Sequence, residues 1–244
     1  MPAHLHKRHD YPGKLIIVEG IDGSGKSTQL DLLHTWLNAE GYSVFFTEWN
    51  SSALIKDTTK LGKKKKILTP TTFSLLHCID FADRFYNAII PPLKAGMIVL
   101  CDRYIYTAFA RDAARGCDKD WLRSLYSYAV RPDMAMLFRV DLATSLKRIK
   151  AGRAEIKYHE AGMDLNLSPD IEESFRLFQG RVVVNYDAMI EEFGLSAIDG
   201  AQDIDSQQKE FRKAIKKILK GYKQKPLLTQ NLPPLPEEVV YAGQ

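Results

Sequence analysis

The sequence has few cysteines, no long apolar run and little excess charge, and each of these absences excludes a class of protein. The three cysteines, Cys78, Cys101 and Cys117, are irregularly spaced and form no CxxC pair, so neither a disulfide framework nor a zinc site is expected. No apolar run approaches the roughly 18–20 residues that cross a bilayer. The first residues lack the apolar segment of a signal peptide. We therefore expect a cytoplasmic protein with no membrane partner.

The charge is nearly balanced, with 34 lysines and arginines against 30 acidic residues and a net charge of +4. This excess suits a protein that meets phosphates but is too small to indicate a nucleic-acid partner. Hydrophobic residues make up 45% of the 244 residues and charged residues 26%, which is ordinary for a globular domain with one substantial core.

Both ends of the chain differ in composition from the middle. His4, His6 and His9 could form a metal cluster, but a flexible N-terminal arm over residues 1–13 is favoured because nothing rigid holds the three rings together. Residues 222–244 contain four prolines and are expected to form an extended tail. The predicted domain therefore covers residues 14–221.

Within that domain, apolar runs alternate with segments of helical periodicity, which predicts an α/β fold with right-handed crossovers. The expected architecture is a five-stranded parallel sheet flanked by helices on both faces. Strands are predicted over residues 14–19, 43–47, 97–101, 134–140 and 196–199. Helices are predicted over residues 26–37, 70–93, 107–115, 119–130, 143–151, 169–193 and 203–219.

Two segments fit neither pattern. Residues 150–167 are polar and show no clean period, so a mobile lid is expected there. Residues 63–66 are four consecutive lysines. A solvated loop is the favoured interpretation of this run, and a polyanion site is the alternative.

The strongest motif spans residues 20–27 and matches the phosphate-binding pattern G-x-x-x-x-G-K-[ST] at every fixed position. It follows a predicted strand and precedes a predicted helix, so the glycines can turn backbone N–H groups inward beside the positive helix end. Lys26 can bridge the outer phosphates of ATP, and the Ser27 hydroxyl can bind Mg²⁺. The alternative is a tight turn without a ligand. The predicted phosphate-binding set is Gly20, Ile21, Asp22, Gly23, Ser24, Gly25, Lys26, Ser27 and Thr28.

This motif indicates a user of nucleoside triphosphates but not a reaction. A small-molecule kinase, a GTPase or motor, and a non-catalytic nucleotide-binding regulator all remain open at this point.

Several further motifs, taken in order, resemble the thymidylate kinases, whose P-loop kinase fold would then be expected here. The opening VEGIDGSGKSTQ, residues 18–29, is nearly identical to the start of that family, and the resemblance extends over about residues 14–219. The other family-like segments are Ala82-Asp83-Arg84, Asp102-Arg103-Tyr104 with Thr107, Arg131-Pro132-Asp133, Asp141 through Arg148, Tyr186, and Ile198-Asp199-Gly200.

The resemblance implies phosphoryl transfer from ATP to dTMP, giving ADP and dTDP in nucleotide biosynthesis, with Mg²⁺ as cofactor and a homodimeric assembly. It implies that Arg103 binds the acceptor phosphate and that Arg84 approaches the acceptor from a helix. Asp102 is expected to organise magnesium or the phosphate site, and Asp22 to face the acceptor sugar. The predicted acceptor-binding set is Asp22, Phe81, Arg84, Arg103, Tyr104, Thr107 and Asp112.

The family places a catalytic arginine either in the phosphate-binding loop or in the lid. Because the loop here has Gly23-Ser24 where one subtype has arginine, the role is expected to fall to the lid. Arg153 is the first candidate and Arg148 the second, although Arg148 is equally well explained as a charge at a helix end. The predicted catalytic set is Lys26, Asp102, Arg103 and Arg153.

Departures from the family pattern fall in the acceptor pocket. The family's T-R-E-P becomes Thr47-Glu48-Trp49-Asn50, and Asp80 stands where a phenylalanine usually stacks on thymine, with Phe81 beside it. Asp112 occupies the position that would recognise the thymine edge, and a carboxylate suits an amino group better than a carbonyl. Two explanations stay open: a dTMP kinase with a rebuilt pocket, or a kinase for another nucleoside monophosphate or polyphosphate.

Overall fold

A five-stranded parallel sheet forms the centre of the fold, as the alternation of strands and helices in the sequence predicts. Its strands lie in the order β2-β3-β1-β4-β5. The computed structural model describes residues 7–153 and 155–224. The strands are β1 (Lys14–Glu19), β2 (Val44–Glu48), β3 (Ile98–Asp102), β4 (Met134–Arg139) and β5 (Ser196–Asp199).

Helices cover both faces of this sheet, because alternate strand residues point to opposite sides and both sides are apolar. On β1, Leu15 and Ile17 join a core with α5 and α8, whereas Ile16 and Val18 join a second core with α1 and α9. The main helices are α1 (Lys26–Ala39), α2 (Lys56–Lys65), α3 (Pro70–Arg84), α4 (Ile90–Lys94), α5 (Ile105–Ala114), α6 (Lys119–Leu125), α7 (Leu142–Gly152), α8 (Ile171–Phe193) and α9 (Ile204–Ile218).

The single helix predicted over residues 70–93 is interrupted in the structure. A π-helical turn, Phe85–Ile89, follows α3 and precedes α4. Pro91 and Pro92 lie inside α4, which continues to Lys94 rather than stopping at the prolines. Proline is tolerated in a first helical turn because its missing N–H would have no intrahelical partner there. The π turn starts a new helical segment and thereby gives both prolines that position.

The prediction of a loop at residues 63–66 is wrong. Lys63, Lys64 and Lys65 form the last turn of α2, and Lys66 ends the helix in a left-handed conformation with φ of 55°. The sequence showed no apolar period here because α2 buries only Thr59 and Gly62. Cationic side chains in a last turn face the negative end of the helix dipole, which stabilises this arrangement.

The described part of the predicted N-terminal arm, residues 7–13, contacts the domain. The His9 ring lies 3.0 Å from an Asp133 oxygen, and the Arg131 N–H donates to the Lys7 carbonyl over 3.0 Å. His4 and His6 lie outside the described residues. Most of the predicted tail also lies outside them, but the Tyr222 hydroxyl donates to the Gly96 carbonyl over 2.5 Å.

In the part of the chain that the structure describes, no helix is both long enough and apolar enough to span a membrane.

Candidate active site

The loop between β1 and α1 has the shape that the phosphate-binding motif predicts. Gly23 and Gly25 have φ of 74° and 89°, in the left-handed region that favours glycine. A Cβ on Gly20 would lie 2.7 Å from the Ser24 hydroxyl, and one on Gly23 would lie 2.6 Å from the Ser145 carbonyl. The motif glycines are therefore needed for the path of the backbone. They leave a concave loop beside the first turn of α1, whose N–H groups have no intrahelical partners.

Lys26 begins α1 and is buried among charged neighbours. Burial lowers the pKa of its ammonium to about 8; the nearby Arg103 acts in the same direction, and Asp102 and Asp22 act against it. Ser27 and Thr28 follow in the same turn with exposed side chains. Burial removes the water that would stabilise the charged ammonium. A bound polyanion would stabilise that charge instead, so this lysine is suited to binding phosphates.

Asp102 ends β3, next to β1, where the phosphate-binding loop begins. Its Oδ1 is buried and has no hydrogen-bond partner among the described residues. A carboxylate oxygen left in this state beside Lys26 fits a water or cation held in the site. Among the described residues, no group of three or more acidic, histidine or cysteine side chains could hold a metal ion.

Arg103 sits at the junction of the loop and the neighbouring cavity with a left-handed backbone, φ 69°. Such a conformation is strained for a side chain other than glycine and is typical of functional sites. Its guanidinium donates to the Gly20 carbonyl over 3.2 Å and to Asp22 over 2.8 Å. Asp22 accepts a second 2.8 Å bond from Arg111. Although burial acts to raise the pKa of Asp22, the charges of Arg111, Arg103 and Lys26 lower it well below its usual value.

A cavity of about 440 Å³ opens beside this cluster. Two acidic residues, Asp22 and Glu160, line it against six basic ones. Its lining also includes Trp49, Phe73 and His77, and the Lys63 ammonium and the Arg115 guanidinium lie 5.1 and 4.7 Å from the Phe73 ring centroid. A cavity lined by both cations and aromatic rings suits a small ligand with a phosphate and a ring. The six basic residues are Lys63, Lys64, Arg103, Arg111, Arg115 and Lys157.

Among the residues predicted to bind the acceptor, Asp22, Arg103 and Thr107 line the cavity. Phe81 and Tyr104 do not. They are fully buried in the core, where their rings meet edge to face 4.9 Å apart. Phe81 is in the predicted acceptor-binding set, but it lies one helical step, about 100°, from Asp80, and its side chain is in the core. Phe73, two turns earlier on α3, lines the cavity instead.

Asp112 is fully buried behind the cavity wall. Its two oxygens lie 3.1 and 3.2 Å from Nδ1 of His77, which does line the cavity. The prediction that Asp112 contacts the acceptor base directly therefore needs correction, since its carboxylate is engaged by His77. His77 had no signal of its own in the sequence, because a histidine in a helix is usually structural.

Asp80 and Arg84 hold the segment that follows β2. Asp80 accepts the N–H of Asn50 over 3.0 Å and that of Ser52 over 2.9 Å. Arg84 donates from Nε to the Thr47 hydroxyl over 3.2 Å. Its Nη1 and Nη2 atoms are buried and have no hydrogen-bond partner among the described residues. Asp80 thus has a structural reason to replace phenylalanine. Arg84 Nη1 lies 3.9 Å from an Asp80 oxygen, within ion-pair range, and neither Nη1 nor Nη2 donates a hydrogen bond among the described residues.

The sequence-based prediction missed Glu19, the last residue of β1. Its buried carboxylate accepts the Tyr104 N–H over 2.7 Å, the Thr107 hydroxyl over 2.6 Å and the Tyr186 hydroxyl over 2.8 Å. Burial raises the pKa of Glu19. A carboxylate closing an apolar strand just before the glycine-rich loop was the available signal. Glu19 fixes Thr107 at the cavity wall.

The two candidate arginines lie in different places: Arg148 is in α7, and Arg153 directly follows that helix. Arg148 donates to the Ser24 carbonyl over 3.4 Å and so touches the phosphate-binding loop. Arg153 forms an ion pair with Glu160, a residue of the cavity wall. The His159 ring lies 3.3 Å from the Lys63 carbonyl, so this segment packs against the end of α2.

Comparisons with known proteins agree with this geometry. The sequence model of the family described as thymidylate kinase matches residues 18–191. A protein of Saccharolobus solfataricus named "Probable thymidylate kinase 2" is 45% identical over 204 residues, which cover 83% of this chain and 95% of that protein. A "Probable thymidylate kinase" of Thermococcus kodakarensis is 31% identical, covering 84% and 98%. A "Thymidylate kinase" of Desulfotalea psychrophila is 30% identical, covering 86% and 97%. The family match includes the loop, Arg84, Asp102, Arg103 and both candidate arginines, and this chain therefore belongs to the thymidylate kinase family.

Proposed function

We propose that this chain is an ATP- and Mg²⁺-dependent phosphotransferase that converts dTMP and ATP into dTDP and ADP. The observation that carries the proposal is the position of Arg103. It bonds the glycine-rich loop at Gly20 and also lines the cationic and aromatic cavity. A donor site and an acceptor site that share one arginine are arranged for transfer between two phosphates, where catalysis is mostly positioning and charge neutralisation.

On the donor side, residues 20–28 would hold the triphosphate through backbone N–H groups, Lys26 and the first turn of α1. Mg²⁺, when bound, would neutralise part of the negative charge on the phosphates. The Ser27 hydroxyl and the free Oδ1 of Asp102 are the groups that would hold it. Burial lowers the pKa of Lys26 to about 8, and the negative charge of the phosphates would raise it again and favour the ammonium form.

On the acceptor side, the nucleotide phosphate would lie toward Arg103 and Arg111 at one end, and the base toward Trp49 and His77 at the other. Arg103 would hold the phosphate with parallel N–H groups and Asp22 would orient both Arg103 and Arg111. The Nη1 and Nη2 donors of Arg84 would face the acceptor from behind Trp49, whose ring lies 5.8 Å from the Arg84 guanidinium carbon. Thr107, fixed by Glu19, would contact the nucleotide between these ends.

The lid of residues 150–167 would close over the reacting phosphates, exclude water and bring an arginine to the transferring group. Arg153 is the proposed catalytic arginine. Its ion pair with Glu160 on the cavity wall would keep Arg153 away from the transferring phosphate until both nucleotides are bound. Arg148, already on the phosphate-binding loop, would stabilise ATP.

The alternatives receive less support. Another acceptor was suggested by Asp80 and Asp112, but both carboxylates are engaged within the protein. A non-catalytic regulator has no need of the lid arginines and the free Asp102 oxygen, and the relatives' names are those of kinases.

A panel of phosphate acceptors tests the proposal. The purified protein with ATP and Mg²⁺ is offered dTMP, other nucleoside monophosphates, thymidine and polyphosphate, and ADP release is measured. A rate with dTMP at least about tenfold above every other acceptor is expected. A higher rate with another acceptor would mean that this compound, and not dTMP, is the substrate. ATP binding without ADP formation for any acceptor would support the non-catalytic regulator.

We also propose a homodimer and, as the family resemblance implies, a cytoplasmic enzyme whose kinase domain covers residues 14–221. The apolar side chains Leu75, Ile79 and Tyr86 are exposed along α3 and the π turn, at helical spacing. Such a stripe is suited to packing against the same helix of a second copy. Sedimentation of the wild type and of Ile79→Glu would check this, with a dimer expected for the first and a monomer for the second.

A further inference from the structure

His77 lines the cavity, and its ring is in contact with Asp112, Phe73 and Trp49. Its side chain is only 4% exposed. The ring centroid lies 4.5 Å from that of Phe73 and 5.5 Å from that of Trp49. These contacts leave the imidazole little freedom to turn, so the ring keeps its Nδ1 edge toward Asp112.

Asp112 fixes which nitrogen carries the proton. An ionised carboxylate only accepts hydrogen bonds, so the nitrogen that faces Asp112, Nδ1, must hold the hydrogen. In the neutral ring Nε2 is then an acceptor, and it is the nitrogen that Asp112 leaves available to a ligand.

This polarity distinguishes pyrimidines. Thymine presents an N–H donor at N3, whereas cytosine presents a bare nitrogen acceptor there. A hydrogen-bond acceptor on the protein can therefore bond to N3 of thymine, whereas it would face a second acceptor at N3 of cytosine. Sites built to hydrogen-bond one group reject analogues that lack it far more strongly than apolar pockets do.

Building on the proposed dTMP kinase function, we propose that His77 is the specificity-determining residue for the acceptor base. Its Nε2 accepts the N3–H of thymine, and Asp112 is a positioning residue that holds the required tautomer. Among the cavity's other polar side chains, the Thr107 hydroxyl donates to Glu19, and Arg115 donates to Asp164 and to the His159 carbonyl. Asn50 is the competing candidate, because its side chain also lines the cavity.

The test measures kcat and KM for dTMP, its N3-methyl derivative and dCMP. The wild type is expected to prefer dTMP over N3-methyl-dTMP by about 100-fold or more. In His77→Ala that preference should fall below about tenfold, chiefly through a higher KM for dTMP. His34→Ala, a histidine on α1 that lies outside the cavity lining, is the matched control and should behave as the wild type.

The Asp112→Asn variant tests whether the tautomer of His77, rather than the shape of the cavity, determines the choice of base. An amide can donate to Nδ1 and so allows the proton to move to Nε2, which then opposes thymine and suits cytosine. The ratio of kcat/KM for dCMP to that for dTMP should rise about tenfold or more, a change that a loosened fold would not produce.

The outcomes are distinguishable from those of the proposed function. No turnover of dTMP by the wild type would overturn both. Normal turnover of dTMP with equal use of its N3-methyl derivative would overturn the role of His77 alone. So would His77→Ala that still discriminates, or a loss of discrimination seen in Asn50→Ala instead.

Discussion

At the scale of single residues, Arg103 is the position where local strain and chemistry coincide. Its left-handed backbone turns the side chain back from the end of β3 onto the loop and onto Asp22. A glycine would relieve the strain but would remove the guanidinium. The conformation is therefore explained by the bonds that the side chain makes.

We predict that Arg103→Ala lowers kcat/KM for dTMP by about 100- to 1000-fold, because one preorganised donor to a developing charge has that effect. Steady-state kinetics at saturating ATP measures the change, and urea unfolding checks that the fold persists, since Asp22 keeps its bond to Arg111. Arg212→Ala, an arginine that stacks on Trp36 of α1, is the matched control. Near-normal activity of Arg103→Ala would refute the acceptor-phosphate assignment.

Lys63 is a second informative residue. Burial, together with the charges of Arg111 and Arg115, lowers the pKa of its ammonium to about 8. A phosphate dianion in the cavity would stabilise the charged form and raise that pKa again. Binding of dTMP near pH 8 should therefore take up about half a proton through this residue.

Calorimetric titration of dTMP in two buffers with different ionisation enthalpies measures that uptake. Lys63→Met should remove most of it while keeping the length of the side chain. Lys65→Met, an exposed neighbour on α2, should leave it unchanged. An equal uptake in the wild type and Lys63→Met would mean that Lys63 does not sense the acceptor.

At the scale of elements, α7 and the segment that follows it place two arginines at two different sites. Arg148 touches the donor loop, and Arg153 is paired with Glu160 on the cavity wall. The segment between α7 and α8 packs on the end of α2, where the His159 ring lies 3.3 Å from the Lys63 carbonyl.

We expect Arg153→Ala to lower kcat by about 1000-fold with little effect on the KM for ATP, as for an arginine that acts only in the transition state. Arg148→Ala should mainly raise the KM for ATP. Lys150→Ala, whose ammonium pairs with Glu172 at the surface, serves as the control. If Arg148→Ala shows the larger loss of kcat, the two roles are exchanged.

At the scale of the whole molecule, Asp133 ties the start of the chain to the sheet. It contacts the His9 ring at 3.0 Å, accepts from Lys14 over 2.8 Å and from the Leu15 N–H over 2.9 Å. Burial acts against the charged form, but these bonds outweigh it and lower the pKa of Asp133 to about 2.

A carboxyl group with a depressed pKa in the folded state stabilises the protein above its unfolded pKa, about 4, and loses that contribution as the pH falls through its folded pKa. Asp133→Asn should therefore be less stable than the wild type at pH 7, and the difference should shrink between about pH 4 and pH 2. Urea unfolding at pH 7, 4 and 3 measures it. Asp141→Asn, whose carboxylate caps α7 away from this contact, is the comparison. A constant difference down to pH 3 would show that Asp133 acts by packing rather than by charge.

Features that depend on local sequence were predictable. The glycines of residues 20–25 dictate a backbone path that few other residues can follow, and the unbroken apolar run of β1 implies helices on both faces of the sheet. The shape of the loop and the position of Arg103 just after a strand end follow from such short-range rules, whereas the strand order β2-β3-β1-β4-β5 was given by the structure alone.

Features that depend on which face of an element meets which neighbour were not predictable. Phe81 turns into the core, Asp112 lies behind His77, and Lys63 reaches the cavity from a helix with no apolar period. Side chains one step apart on a helix differ by about 100° in direction, so small differences in rotation and packing decide which of them meets the ligand. The sequence by itself determined the family, the sheet and the phosphate-binding loop, whereas only the tertiary structure decided which residues surround the acceptor, because that depends on long-range packing of α2, α3, α5 and the lid.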